Sequence, residues 1–431
     1  MSLSKSIREL NFKYEKNEST KERLSLLMIT YRNGSLLLLI VNMFIAQLGV
    51  GLVIPVLPKY MQLFNASGAM IGYLVSAMGL TLFLFSSLAG KLSDSYGRKK
   101  VIVFGLSMFC LSQYLFGAAN EIWLLYLSRL IGGIGIAFTS PAITAYIADI
   151  TTEAERGKGM SWLSAAMALG IVIGPGVGGF LAEYDLRLPF YFAAAASALA
   201  MVASMLVLPE TLSREKRTVA NCLTKARPGN ILQHFAVSFN TPYLSLLLLF
   251  FILTFALANV EVVFGLYLDV RYGYTPQDIA MIFTIGALAG VLMQALLTDW
   301  LLRRFGEKKV VRLSLIFSAI SLLLLLIPET YSVLLAIIIF FFSCTATLRP
   351  ALTTMLSKMA GEEQGFAAGL SNTYTSLAII FGPASAGLLF DLDINLPYLC
   401  GAAMILLSLA IPIKQAEAEK EVPADTYRPE G

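Results

Sequence analysis

Long apolar runs separated by short polar turns fill most of the chain. Twelve are long enough to cross a bilayer: residues 34–60, 70–92, 100–119, 122–147, 158–182, 189–209, 242–268, 277–301, 309–327, 331–357, 365–389 and 395–413. A spanning helix needs roughly 20 mostly apolar residues, and only helices or closed barrels satisfy their backbone hydrogen bonds in hydrocarbon. The runs lack period-two alternation, so a barrel is excluded and helices are predicted throughout. The first run follows about 33 polar and charged residues with no small-residue cleavage site after it, and is read as a retained helix. Composition agrees: 57% of the 431 residues are hydrophobic, 14% are charged and the mean hydropathy is +0.72, against about 25% charged in a soluble domain.

The chain repeats itself. Slid by 209 places, LPKYMQLFNASGAMIGYL (57–74) falls on LYLDVRYGYTPQDIAMIF (266–283), GRKKV (97–101) on GEKKV (306–310) and PAIT (141–144) on PALT (350–353). A one-residue slip then brings IGPGVGG (173–179) onto FGPASAG (381–387). The reading is an all-α membrane protein with twelve transmembrane helices in two pseudo-symmetric six-helix bundles. Its parts are an N-terminal tail (1–33), a first bundle (34–209), a polar linker (210–241), a second bundle (242–413) and a C-terminal tail (414–431).

Charge sets the expected orientation. The tails and the loops after even-numbered spans hold 27 of the 32 basic residues; Lys59, Arg187 and Arg271 lie on the other side, and Arg129 and Arg349 fall within spans. Both termini are therefore expected in the cytoplasm of a multi-pass plasma-membrane protein. The net charge of +4 is thus a topology signal, and no nucleic-acid module accompanies it. Cys110, Cys222, Cys344 and Cys400 have no metal-ligand spacing, and the single histidine, His234, falls in the linker, so no metal site is expected. No GxxxxGK[ST] phosphate loop occurs, which sets ATP hydrolysis aside. No enzyme activity is implied.

Four stretches carry candidate mechanism. In GKLSDSYGRKK (90–100), Gly90 allows close helix approach, Gly97 a tight turn, and Asp94 can meet a helix N-terminus or a basic partner such as Arg98, a candidate conformational latch. Its second-half copy, TDWLLRRFGEKK, keeps Asp299 and Gly306 at altered spacing. Span 4 carries Arg129, a permanent cation that must face polar groups or water, or reach the outer surface. Span 5 carries GIVIGPGVGG (170–179): Gly170, Gly174, Gly178 and Gly179 offer flat packing surface, and Pro175 removes a backbone hydrogen bond where a bend can sit. Pro55 and Pro58 similarly interrupt span 1.

These stretches resemble the major facilitator superfamily, over about residues 35 to 413. Its signature loop is seen as GKLSDSYGRKK, its span-4 arginine motif as YLSRLIGG and its antiporter motif as GIVIGPGVGG. With LGVGLVIPVLP, RLPFYFA (187–193) and GLSNTYTSLAIIFGP (369–383), the chain is most similar to the twelve-helix multidrug:proton antiporters of Gram-positive bacteria, the quinolone-efflux group. The resemblance implies the major facilitator fold and substrate held near the midplane between the halves. It also implies a span-7 glutamate, matched by Glu261, and a span-10 Asp-x-x-Arg pair, of which Arg349 is kept while the acidic position is Ala346.

The residues point the same way. Glu261 is the one acidic or basic residue in LLLLFFILTFALANVEVVFGLYL (246–268) that carries charge at neutral pH, and a carboxylate at the bilayer centre costs on the order of 2.5–3.5 kcal/mol on insertion scales. Withdrawal from water favours its protonated form, so a lipophilic cation and a proton can compete for one group. Arg349 and Arg129 join Glu261 as proton-coupling candidates. Glu261, Phe264, Phe342, Arg349, Asn42, Gln47 and Asn372 are the candidate substrate contacts. The expectation is a monomeric exporter of hydrophobic, often cationic drugs, driven by the proton gradient without a cofactor. A transporter of an endogenous sugar, peptide or lipid, and a non-transporting receptor or scaffold, are the rival readings.

Overall fold

A computed structural model describes residues 18–212, 238–239, 241–328 and 330–412. His234, Cys222, both tail ends and most of the linker fall outside the described residues. Among those described there are helices and no strands.

Span 1 is Glu18–Gly51 continued by Val53–Gln62. Spans 2 to 6 are Gly68–Tyr96, Arg98–Ala118, Ile122–Ile150, Glu153–Ala182 and Leu188–Val207. In the second half, spans 7 to 12 are Leu244–Tyr272, Pro276–Leu296, Glu307–Leu324, Tyr331–Ala360, Gln364–Leu392 and Leu396–Ser408. Ten of these are long and apolar enough to cross a membrane; Glu307–Leu324 and Leu396–Ser408 occupy the places of spans 9 and 12.

Local chemistry explains the joints. Span 1 breaks at Leu52 because Pro55 has no N–H to offer the Gly51 carbonyl four residues back. Span 7 ends at Gly273, whose φ of 69° lets its N–H reach the Asp269 carbonyl at 2.9 Å while Tyr274 N–H reaches Leu268. Span 8 stops at Leu296 and resumes as a short amphipathic helix, Thr298–Phe305, so the continuous run expected to residue 301 is divided.

The first half meets the second mainly through span 2 against span 11 and span 5 against span 8. Backbone lies on backbone there. A Cβ on Gly72 would sit 2.2 Å from the Pro383 carbonyl oxygen, and one on Gly387 would sit 2.2 Å from that of Gly68. On the other seam, a Cβ on Gly179 would fall 2.4 Å from the Ala280 methyl. Side-chain bonds close the same region: Ser76 Oγ donates to the Ile380 carbonyl at 2.6 Å, and Lys59 pairs with Asp269 at 2.9 Å.

All of these contacts belong to the face carrying the loops after odd-numbered spans. Toward the opposite, even-loop face, a Cβ on Gly90 of span 2, or on Gly365 or Gly369 of span 11, would meet nothing within 4 Å. Among the described residues no hydrogen bond or ion pair joins the halves on that side. Among the described residues the halves are therefore joined at the odd-loop face and not at the even-loop face.

The internal repeat is visible in the packing. Gly170, Gly174 and Gly178 of span 5 press on Phe44, Gly51 and Leu52 of span 1, while Gly179 presses on span 8. Their second-half counterparts divide alike: Gly382 of span 11 faces Ala258 of span 7, and Gly387 faces span 2.

Seam closure thus depends on absent side chains. Gly72→Leu is expected to lengthen the distance between spin labels at Leu63 and Leu392 by about 2 Å or more, the range over which contact side chains set helix separation. Gly90→Leu, in open space, is expected to leave that distance unchanged.

Candidate functional site

The odd-loop end of span 7 presents one face at intervals of four residues: Glu261, Gly265 and Asp269. Gly265 fixes its direction, since a Cβ there would lie 3.0 Å from the Pro58 ring and 3.6 Å from the Ile54 carbonyl, both on span 1. Asp269, one turn outward, pairs with Lys59 and accepts a hydrogen bond from Gln62 Nε2. Glu261, one turn inward, thus looks across to the first half directly beneath the seal. Its side chain is part-exposed, and no described residue gives it a hydrogen bond or ion pair.

Glu261 has an electrostatic neighbour in Arg349 on span 10; the two charges act on one another without direct contact. Arg349 is exposed, and by helical rise it sits about 10 Å further than Glu261 from the odd-loop face. The guanidinium therefore stands on the parted side of the carboxylate.

The aromatic candidates divide. Phe264 is 1% exposed, with its ring edge-on to Phe283 at 5.5 Å, so it is part of the core in this state and not open to the space beside Glu261. Phe342 is part-buried, 6.4 Å from Phe283, and fills the notch left by Gly286, where a Cβ would be 2.8 Å from its ring. One turn along span 10, Ala346 faces Gly290 of span 8, and a Cβ on that glycine would be 3.5 Å from the alanine methyl. Helix packing thus takes up the position where the resemblance places a second acid.

Arg129 stands apart. It is 5% exposed and enclosed in the first half, with its guanidinium carbon 4.0 Å above the Phe116 ring and Nη1 4.0 Å from the Met78 sulfur. Its Nε and Nη2 have no hydrogen-bond partner. It does not reach the outer surface, and no described contact joins it to Glu261. Of the polar candidates, Asn42 is buried and donates to Ser204 Oγ at 2.7 Å. Gln47 packs on Gly170, and Asn372 is exposed. The structure therefore relates Glu261 to Arg349 and leaves Asn42 and Arg129 in the first-half interior.

The signature loop ties the first half to itself. Gly97 adopts φ 109°, and a Cβ there would strike the Glu210 carboxylate at 2.3 Å. The Arg98 N–H donates to that carboxylate at 2.8 Å, and the Arg98 guanidinium pairs with Asp94 at 2.5 Å and Asp149 at 3.2 Å. Asp94 thus has a basic partner, as expected, in its own half. In the second-half copy, Asp299 pairs with Arg303 at 3.0 Å and Glu307 with Lys358.

Sequence reasoning passed over Asn259, Asp269 and Asp391. Asn259 is fully buried and ties span 7 to span 11 through Ser385 Oγ at 3.0 Å and the Gly382 carbonyl at 3.3 Å. The available signal was an amide isolated in an apolar span. Both aspartates lie at span ends, where a charge is unexceptional.

Comparison with known proteins agrees with this geometry. The family model described as Major Facilitator Superfamily matches residues 39–298 and 246–428. Multidrug resistance protein 2 of Bacillus subtilis (strain 168) is 41% identical over 388 residues, covering 90% of this chain and 96% of that protein. Quinolone resistance protein NorA of Staphylococcus aureus (strain MRSA252) is 35% identical over 379 residues, 88% and 96% of the two chains. Among solved structures, a bacterial homolog to the human lysosomal transporter Spinster, in an inward-facing and occupied conformation, superposes with a TM-score of 0.73 at 15% identity. The match covers 90% of this chain and 99% of that one. The nucleoside transporter NupG gives 0.71 at 17% identity, covering 88% and 98%. Two bundles of spans with matching glycine seams, a fold shared with solved transporters and a family model spanning nearly the whole chain lead to one conclusion: the protein belongs to the major facilitator superfamily.

Proposed function

We propose that the protein exports hydrophobic, often cationic drugs across the plasma membrane in exchange for protons, by alternating access. The names of its relatives, multidrug and quinolone resistance proteins, support the substrate class. One observation carries the mechanism: among the described residues Glu261 is the carboxylate furthest from any span end, and it faces the opposite half beneath the seal with no hydrogen bond or ion pair. The basic loops assign the even-loop face to the cytoplasm. The parted side is then the inner one, and this is the state that admits substrate from the cell.

The cycle follows from competition at one group. From the inner side a cation reaches Glu261 and displaces its proton, so the carboxylate carries either H⁺ or cargo. Rocking of the halves opens the glycine seams and exposes the group outside, where the proton returns and the drug leaves. Arg349 acts on Glu261 electrostatically, and at an effective dielectric near 20 a unit charge at roughly 10 Å is worth ~1.7 kcal/mol, about tenfold in an equilibrium, a scale that suffices to promote proton release. Ala346 against Gly290 leaves Glu261 without a second carboxylate beside it on span 10, and one group is sufficient for this exchange. Drug export is preferred over the metabolite reading because relatives of both names align over nearly their whole length.

In proteoliposomes with an imposed pH gradient, wild type is expected to move ethidium or a fluoroquinolone against its concentration, and Glu261→Gln to lose gradient-driven transport while staying folded and inserted. Transport of one narrow solute with no drug flux would favour the metabolite reading. For Arg349, exchange to Gln is expected to slow gradient-driven efflux by about tenfold and exchange to Lys by no more than about twofold, measured as initial rates. Equal rates in both variants would remove Arg349 from the scheme.

A further inference from the structure

The two seams are not held alike at their odd-loop ends. The N-terminus of span 8 is capped by its own chain: Thr275 N–H donates to Asp278 Oδ2 at 2.9 Å, and Asp278 N–H donates back to Thr275 Oγ1 at 3.3 Å, a complete capping box. Span 2 begins at the equivalent place in the repeat with Ser67, but Met70 stands where an acid would complete the box. Ser67 Oγ accepts only the Met70 N–H, at 3.4 Å, and the Gly68 and Ala69 N–H groups are satisfied from the other half instead. Asp391, near the end of span 11, accepts the Gly68 N–H at 2.6 Å and the Ala69 N–H at 2.9 Å, one on each carboxylate oxygen. Gly68 makes this possible, since a Cβ there would lie 2.8 Å from Asp391 Oδ1.

Across the same face Asp269 does likewise. This second-half carboxylate has a side chain only 5% exposed and is held by Lys59 and Gln62, both on span 1 of the first half. Each aspartate thus spends its acceptors on the opposite half, and each bond exists only while the seam is closed.

Resting on the function proposed above, we infer that Asp269 and Asp391 form a two-point latch that holds the odd-loop seam shut and thereby sets how often Glu261 is presented to the outside. Both are positioning residues: neither touches the exchanged proton or the drug. The glycine seam contributes close backbone contact, whereas the latch supplies charge-assisted bonds that must be traded for water on opening. Because Lys59 and Asp391 are partly open to solvent, the trade is discounted, and loss of either point is expected to raise the outward-to-inward ratio by about three- to tenfold.

The test uses the full chain in lipid nanodiscs, with its native cysteines replaced and spin labels at Leu63 and Leu392. Asp391→Asn and Asp269→Asn are each expected to enlarge the long-distance population by that factor. The exchange K59D with D269K is expected to restore it toward wild type, because the pair is re-formed in reverse. Met70→Asp supplies span 2 with the cap that span 8 has; added to Asp391→Asn it restores helix capping but not the bond between halves, so the long-distance population is expected to stay enlarged. The inference is overturned if either aspartate variant matches the wild-type distribution, or if Met70→Asp alone returns the Asp391→Asn variant to it. Drug efflux measured on the same proteins separates the two readings: distances that respond as described in a wild type that moves no drug would sink the proposed function and leave the latch standing.

Discussion

Close backbone contact at the odd-loop face is the constraint on which the architecture rests. Spans 2 and 11, and spans 5 and 8, approach so nearly that single methyl groups at Gly72, Gly179 or Gly387 would collide with the facing chain. In lipid there is little hydrophobic drive to press helices together, so small residues and the dispersion contacts they permit do that work. The same glycines make the seam separable, because where they lie backbone rests on backbone with no side chain interlocked. A boundary that is tight and smooth at these positions can part as a unit, which rocking of two rigid halves requires.

This constraint gives Glu261 its meaning. Four residues from Gly265 on one helical face, the carboxylate lies one turn inward of the seal, with a part-exposed side chain. A carboxylate within a membrane span is costly in its charged form, and either a proton or a cationic substrate can relieve that cost. In the proposed cycle, closure on one side couples the two ligands, because the group would discharge either one outward only when the seam opens. Arg349, itself exposed, acts on the carboxylate through its charge without capturing it in a fixed ion pair.

Much of this was legible in the sequence, for reasons that are physical. Apolar runs of membrane length announce helices because the bilayer admits few alternatives, and the repeat announced itself through glycines and prolines that the packing cannot replace. IGPGVGG read as a packing surface, but its division between span 1 and span 8 depends on which helices the tertiary fold sets beside it. Long-range pairing was hidden for the same reason: Asp391 meets the Gly68 N–H across 323 residues and Asp269 meets Gln62 across 207. Both aspartates read locally as ordinary charges at helix ends. Phe264 and Asn42 looked like cavity residues by type and spacing; the core claims the first and Ser204 the second. Side-chain type shows what a group can do, while its neighbours decide whether it is free to do it.

Proton release on drug binding tests the exchange most directly. Purified protein in detergent, in nearly unbuffered solution with a pH-indicating dye, would receive tetraphenylphosphonium while binding and acidification are read together. The account predicts about one proton released per cation bound by wild type and none by Glu261→Gln. Binding by wild type without acidification, or undiminished release from the glutamine variant, would contradict it.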